Sequence, residues 1–291
     1  MKELNIAVQK KGRMYDDCIG LLKKCGFSIR NSRDQLKVKV KNFDANLLFL
    51  RNSDIPKYVA NGVADIGFLG QNTIKEKAPD LKTILDLGFQ KCRLSLAVPK
   101  ENDWYNGLHS LNGRKIATSY PNSLKAFLDE NGVNAEIDVI QGSVEIAPNI
   151  GLADAICDLV ESGSTLFKNG LVEKDVMLFS EATIAVNDRA LVGKKALIDE
   201  LIFRIQSVQR AESHRYILMN VPNDKIQQVS EILPVLKSPT VLPLVEEGWS
   251  SLHSVISEND FWSVISELKQ LGAEGIIVTP IEKMVHRSSR R

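Results

Sequence analysis

No two cysteines in this sequence form a C-x-x-C pair, and no apolar run approaches the length of a bilayer span. Cys18, Cys25, Cys92 and Cys157 are scattered through apolar segments, which excludes a disulfide framework and a structural zinc site and predicts reduced core residues of a cytosolic protein. The opening MKELNIAVQKKGR holds an apolar run of about five residues where a signal peptide needs about seven to fifteen, so a soluble, cytoplasmic protein is expected. Charge of one sign is also missing: 37 Lys and Arg face 36 Asp and Glu. A net charge of +1 leaves no footprint for nucleic acid or membrane partners, and the basic end His286 to Arg291 reads as a solvated tail. His109, His214, His253 and His286 show neither ligand spacing nor a Ser or Cys relay, which removes support for zinc catalysis and triad hydrolysis. Low-complexity linkers and repeats are absent.

What the chain does have is 291 residues, enough to bury roughly three quarters of its unfolded surface in two or three small domains. Short apolar runs alternate with helical patterns: Leu4 to Val8, then Met14 to Cys25, Leu36 to Val40, Asn46 to Leu50, a helix opened by Asp54 as N-cap with Pro56, and Ile66 to Leu69. Leu94 to Val98, Lys115 to Thr118, a helix over Ser123 to Glu130, Ala135 to Ile140, the Ala153 strand and Val176 to Val186 continue the α/β alternation. Two chain crossings would make a two-lobed cleft suited to two substrates. After a helix over Leu191 to Ala211, the order β-α-β-β-α-β from Tyr216 to Thr279 predicts a ferredoxin-like unit.

The stretch Ala153 to Leu166, ADAICDLVESGSTL, carries the chemistry. An apolar strand leads into Ser162, Gly163, Ser164 and Thr165, whose N–H groups and hydroxyls at a helix start suit a phosphate. Asp154 and Asp158 flank it as acceptors for hydroxyl groups or a cation, and Asp154 has a second reading as a solvent-facing strand-end acid. Just upstream, GSVEIAPNIG adds Glu145 at the start of a short helix. Gln9, Lys10, Lys11, Gly12 and Arg13 end the first strand at the carboxyl edge of the sheet, the usual ligand crevice of open α/β folds. Arg51 follows another strand and could meet a phosphate or a surface acid, and Asp65, Gly67 and Gly70 in ADIGFLG suggest a close backbone approach to ligand. Arg93, Ser119, Tyr120 and Pro121 fall at the lobe crossing, with hinge and packing roles the simpler reading.

These motifs, with IAVQKKGR at Ile6 to Arg13, CRLSLAVP at Cys92 to Pro99, LNGRKIATSYP at Leu111 to Pro121 and LGAEGIIVTPIEKM at Leu271 to Met284, resemble the ATP phosphoribosyltransferase family in its long form over nearly the whole chain. The resemblance implies an α/β fold: a two-lobed, periplasmic-binding-protein-like catalytic core and a C-terminal ferredoxin-like (ACT-like) regulatory domain. It implies lobe I at 1–98 with 181–212, lobe II at 99–180 and the regulatory domain at 213–291. It further implies Glu145, Asp154 and Asp158 as catalytic residues, Ser162 to Thr165 on phosphoribosyl pyrophosphate, and Gln9 to Arg13 with Arg51 and Asp65 on ATP. Mg²⁺ is the implied cofactor, with direct ligands left open; histidine is the implied inhibitor at Thr240, Leu242, Gly272 and Ala273, in a homo-oligomer of dimer and hexamer type. Two residues depart from what the ligands would favour: Glu161 before the phosphate turn, with its side chain expected to point away, and Glu274 beside the effector strand. Competing readings are a non-catalytic two-lobed binder and a short-form-like subunit needing a partner, against which the phosphate turn and the C-terminal extension argue.

Overall fold

The computed structural model describes residues 3–30, 35–78, 80–233 and 238–285; the tail from His286 lies outside them. The chain divides into two compact units, Met1–Lys23 with Phe27–Ile198, and Lys24–Gly26 with Asp199–Arg291. The break falls inside a helix, earlier than the 212/213 boundary read from sequence.

In the first unit, chain order runs β1 (Leu4–Gln9), α1 (Arg13–Lys24), β2 (Lys37–Lys39), β3 (Ala45–Leu50), α2 (Ile55–Ala60), β4 (Ile66–Gly70), α3 (Gln71–Lys77) and β5 (Lys82–Asp86). It continues with β6 (Cys92–Pro99), β7 (Lys115–Thr118), α4 (Pro121–Glu130), β8 (Glu136–Val139), β9 (Ala155–Val160), α5 (Ser164–Lys168), β10 (Leu171–Ser180), β11 (Ala182–Val186) and α6 (Asp188–Gly193). Among the described residues one sheet has the order β2-β3-β1-β4-β11-β5 and the other β10-β6-β9-β7-β8. The chain passes between them through residues 87–91 and again at Glu181.

Central strands carry apolar residues on both faces, as a parallel strand covered by helices requires: Leu4, Ile6, Ala7 and Val8 of β1 are fully buried, and β4 is buried throughout. Helix α1 buries Cys18, Ile19, Leu21 and Leu22, a stripe at helical spacing. Some expectations need correction. β6 pairs with β9 and β10, so lobe II begins at Cys92 rather than 99; its ladder partners decide its sheet, and its own apolar run does not. The run Val176 to Val186 divides at Glu181 into strands of different sheets, and the helix expected over Leu191 to Ala211 divides after Gly193, where α7 (Lys195–Glu212) begins. Asp54 occupies the α2 N-cap position but makes no side-chain capping bond. Cys92 is half-buried, unlike the buried Cys18, Cys25 and Cys157.

The second unit contains β12 (His214–Pro222), α8 (Ile226–Ile232), β13 (Thr240–Pro243), β14 (Trp249–Ser257), α9 (Glu258–Gln270) and β15 (Glu274–Pro280). Its sheet order β13-β14-β12-β15, antiparallel throughout, is the ferredoxin-like arrangement. Alternation along β12 and β14 turns Ile217, Met219, Val221, Leu252 and Ile256 onto Val229 of α8 and Leu268 of α9. The opposite face carries Tyr216, whose hydroxyl is 2.7 Å from His253 Nδ1; Ser251 Oγ lies 3.1 Å from Nε2. His253 thus has a serine neighbour that the sequence reading did not foresee, at i−2 on the same strand face.

Candidate active site

β9 runs parallel to β7 and antiparallel to β6, which sets Asp158 opposite Ser95 near the carboxyl end. Beyond Val160 the chain turns through Ser162 and Gly163 into α5. Gly163 has φ +78°, a left-handed conformation that glycine adopts without penalty. Ser164 N–H donates to Ser162 Oγ at 3.4 Å, and the two serine hydroxyls are 3.1 Å apart. These residues line a cavity of about 560 Å³ together with Thr165, Asp158, Glu145, Glu161 and Arg13. Glu145 sits on a one-turn 3-10 segment, Val144–Ile146, reached through Ser143 at φ +50°. Burial pushes the Asp158 carboxyl above the ordinary range, and the Glu145 charge adds to the shift; the Leu159 N–H, donating at 2.8 Å, opposes it. Two carboxylates on one wall favour a cation or hydroxyl donors between them.

The start of the turn is held from the neighbouring strand. Arg93 makes a bidentate pair with Glu173 at 2.5 and 2.6 Å and donates to the Glu161 carbonyl at 3.1 Å. That pairing holds the Glu173 carboxyl below its usual range. The Glu161 side chain meets Arg13 at 2.6 Å across the two lobes, which offsets its charge beside the anion-suited turn.

At the carboxyl edge of the first sheet, Gln9 pairs in register with Leu50, which brings Arg51 beside Lys10. Gln9 Nε2 donates to the Lys11 carbonyl at 2.7 Å, and Gly12 takes φ +89° ahead of α1. Lys10, Lys11 and Gly12 border a second cavity of about 340 Å³ with Tyr15, Asp16 and Phe49. Gln9, Lys10, Lys11, Gly12, Arg13 and Arg51 therefore share one edge, and Arg13 reaches the cavity of the Ser162 turn. Gln90, Lys91 and Cys92 line that larger cavity too. The sequence reading missed the first two; Gly88 before CRLSLAVP was the available signal of a crossing.

Asp65 and Asp154 are corrected. Asp65 precedes β4, at the amino edge of the sheet; its buried carboxylate accepts from Asn5 N–H at 2.6 Å and pairs with Lys194 at 2.5 Å. Asp154 precedes β9, at the far end of the strand from the turn, where it accepts from Lys115 N–H at 2.9 Å and meets Arg114 at 3.4 Å. Both tie strand starts together. In the second unit, Thr240 and Leu242 are exposed on the edge strand β13, while Gly272 and Ala273 precede β15 at the opposite edge. Three strand spacings, about 14 Å, separate those edges, so one chain does not bring the four residues together. Ala273 is buried in the domain core rather than open to a ligand.

A family model described as ATP phosphoribosyltransferase matches residues 51–207, and one described as HisG, C-terminal domain, matches residues 211–283. The ATP phosphoribosyltransferase of Cytophaga hutchinsonii is 54% identical over 97% of this chain and 98% of its own length. The chain belongs to the ATP phosphoribosyltransferase family. The ATP phosphoribosyltransferase of Phocaeicola vulgatus is 52% identical over 97% and 99% of the two chains. A solved ATP phosphoribosyl transferase (HisG:HisZ) complex from Thermotoga maritima contains a chain 29% identical, with TM-score 0.61, matching 70% of this chain and 98% of that one. The C-terminal domain match marks this phosphoribosyltransferase as the long form, a pentosyltransferase of histidine biosynthesis. A histidine kinase sensor domain with similarity to periplasmic binding proteins matches at TM-score 0.50 and 11% identity, over 72% and 91% of the chains, a likeness of fold alone. Membership of the phosphoribosyltransferase family, and not that likeness, sets aside the non-catalytic binder. Among the described residues no helix is long and apolar enough to cross a membrane.

Proposed function

We propose that the protein transfers the phosphoribosyl group of phosphoribosyl pyrophosphate to N1 of ATP, releasing pyrophosphate and N1-(5-phosphoribosyl)-ATP. The observation that carries this reading is the shared cavity of Glu145, Asp158, the Ser162–Thr165 turn and Arg13. The adenine N1 lone pair forms the new bond to the anomeric carbon as the bond to pyrophosphate oxygen breaks. N1 is unprotonated at neutral pH, so the protein needs no strong base; it must align two anionic substrates and stabilise the charge that develops. Backbone N–H groups and hydroxyls of Ser162, Gly163, Ser164 and Thr165 hold the 5-phosphate. Asp158 and Glu145 accept from ribose hydroxyls and face the positive charge growing at the anomeric carbon. Lys10, Lys11, Arg13 and Arg51, with Gln9 and Gly12 shaping their loop, receive the ATP phosphates.

Mg²⁺ fits this wall. Asp158 and Glu145 are hard oxygen donors whose mutual repulsion a cation relieves, and an ion that keeps its waters and pyrophosphate oxygens takes only one or two carboxylates. When bound, it supplies Lewis-acid neutralisation of the departing pyrophosphate.

For the second unit the proposed ligand is histidine, as a feedback inhibitor. A site that uses both Thr240 with Leu242 and the Gly272–Ala273 backbone needs two copies of the chain, in keeping with a homo-oligomer of dimer and hexamer type. The apolar runs and charge balance support a cytosolic setting. Mixing purified protein with ATP, phosphoribosyl pyrophosphate and Mg²⁺ tests the whole reading. The N1-phosphoribosyl-ATP chromophore should appear, weaken with histidine and vanish in chelator; full turnover in chelator would refute the metal role.

A further inference from the structure

Glu76 of α3 is only 3% exposed, yet it lies outside both cavities described above. Its carboxylate spends its lone pairs on the other lobe. It accepts from Asn122 N–H at 3.1 Å, Ser123 N–H at 2.8 Å and Ser123 Oγ at 2.8 Å, and its own carbonyl accepts from Asn122 Nδ2 at 3.0 Å. These donors form the first turn of α4, whose own N-cap residue, Tyr120, makes no side-chain capping bond. The first-turn N–H groups of a helix need acceptors, and the positive end of the helix dipole favours an anion there. A carboxylate from the first lobe thus supplies the cap that the second-lobe helix lacks.

The same short helix is fastened twice more. Asn72 N–H donates to Ser180 Oγ at 3.0 Å, and that hydroxyl donates to Asn72 Oδ1 at 3.0 Å; Ser180 is the last residue before the chain returns to the first lobe. Asn72 Nδ2 donates to the Tyr120 hydroxyl at 3.4 Å. Tyr120 is half-buried; its desolvation, with the field of Asp158 adding to it, keeps the phenol protonated. The contacts therefore link the α4 cap, the return crossing and a neighbour of the candidate catalytic carboxylate.

We propose that Glu76 is a positioning residue, a first-lobe carboxylate that caps α4 of the second lobe and so fixes the interlobe angle at which the two substrates meet. It acts through α4 and Tyr120 and touches no substrate. A freely hinged two-lobed protein tolerates a range of openings; in-line transfer between two bound anions does not, and a misplacement of about 1 Å can lower a rate about 100-fold. The inference rests on the proposed transfer reaction for its kinetic consequence but not for its mechanical one.

The test uses the full chain with Glu76→Gln, which places an amide N–H₂ against one of the donors it must accept from, and Ser123→Ala, which removes one of the three bonds and keeps both backbone donors. Hydrogen exchange is measured alongside kcat and KM at a temperature where circular dichroism shows each variant folded. Glu76→Gln should lower kcat about 10- to 100-fold while KM for either substrate changes less than about threefold, with Ser123→Ala intermediate. Exchange should quicken together in α3, the first turn of α4 and the two crossings at residues 87–91 and 180–182. Wild-type kcat with faster exchange confined to the first turn of α4 would overturn the proposal, since Glu76 would then be an ordinary helix cap. If Glu76→Gln does not fold, Ser123→Ala decides: unchanged kcat and unchanged exchange at the crossings refute it. Should the wild-type protein lack transferase activity, the exchange pattern judges the clamp alone, and its failure stays distinct from failure of the reaction assigned above.

Discussion

Replacing Gly163 with valine separates the cost of a backbone conformation from the cost of a clash. A Cβ built at this glycine meets nothing within 4 Å, so a larger side chain has room. The penalty is conformational: at φ +78° an L-residue pays about 1–2 kcal/mol, and a β-branched one sits at or above the top of that range. The turn is exposed, so in the free protein it relaxes out of the left-handed region and most of the penalty is absent from stability. Binding the 5-phosphate then requires the turn to return. About 2 kcal/mol corresponds to roughly a 30-fold rise in KM for phosphoribosyl pyrophosphate, with alanine costing about five- to tenfold and asparagine, which tolerates this region, less. KM for ATP should stay within about twofold, and the Tm should fall by no more than a few degrees. Steady-state kinetics on the three variants, each with one substrate saturating, makes the comparison. An unchanged KM for phosphoribosyl pyrophosphate in folded Gly163→Val would refute the reasoning, because the turn would then do its work without its present backbone geometry.

Asp158→Asn should lower turnover and raise the Tm of the ligand-free protein at pH 7. The Asp158 carboxyl titrates higher in the folded chain than in the unfolded one, so in the pH interval between the two the folded form binds more protons; wild-type stability falls as pH rises above about 4 and the penalty persists at neutrality. Melting from pH 4 to 7 checks this, and identical pH slopes in wild type and variant would contradict it. Asp65→Asn should lower stability by about 1–3 kcal/mol by breaking the pair with Lys194, while KM for ATP stays unchanged; a tenfold rise in that KM without loss of stability would return Asp65 to the substrate site. Ala273→Leu should overpack the core of the second unit and cost it about 1–3 kcal/mol, read by calorimetry. An unaltered transition with lost histidine inhibition would mean that the methyl faces a ligand after all.

The sequence by itself determined what depends on neighbours along the chain. The hydroxyl–glycine turn at Ser162 to Thr165, the carboxyl-end position of Gln9 to Arg13, and the β-α-β-β-α-β order after Tyr216 follow from turn chemistry and from periods of 2 and 3.6, and the structure has each of them. The tertiary structure decided what depends on partners far along the chain. Asp154 and Asp158 stand four positions apart in one short stretch of sequence, but Asp154 precedes β9 while Asp158 lies near its carboxyl end, so one meets Arg114 and the other the cavity wall. Asp65 looks like a ligand residue in ADIGFLG until Lys194, 129 positions away, closes on it. β6 reads as any apolar strand, and only its ladders to β9 and β10 assign it to the second lobe. Ala273 is a small residue beside a glycine in the sequence and a filled core position in the fold. Glu76 looks like one more charge on a short helix; its burial against α4 exists only because α3 beside one sheet and the start of α4 beside the other come into contact. Local preferences specify an element and its turns, while the partner a side chain meets is set by strand order and register, and those are fixed by the burial of the whole core.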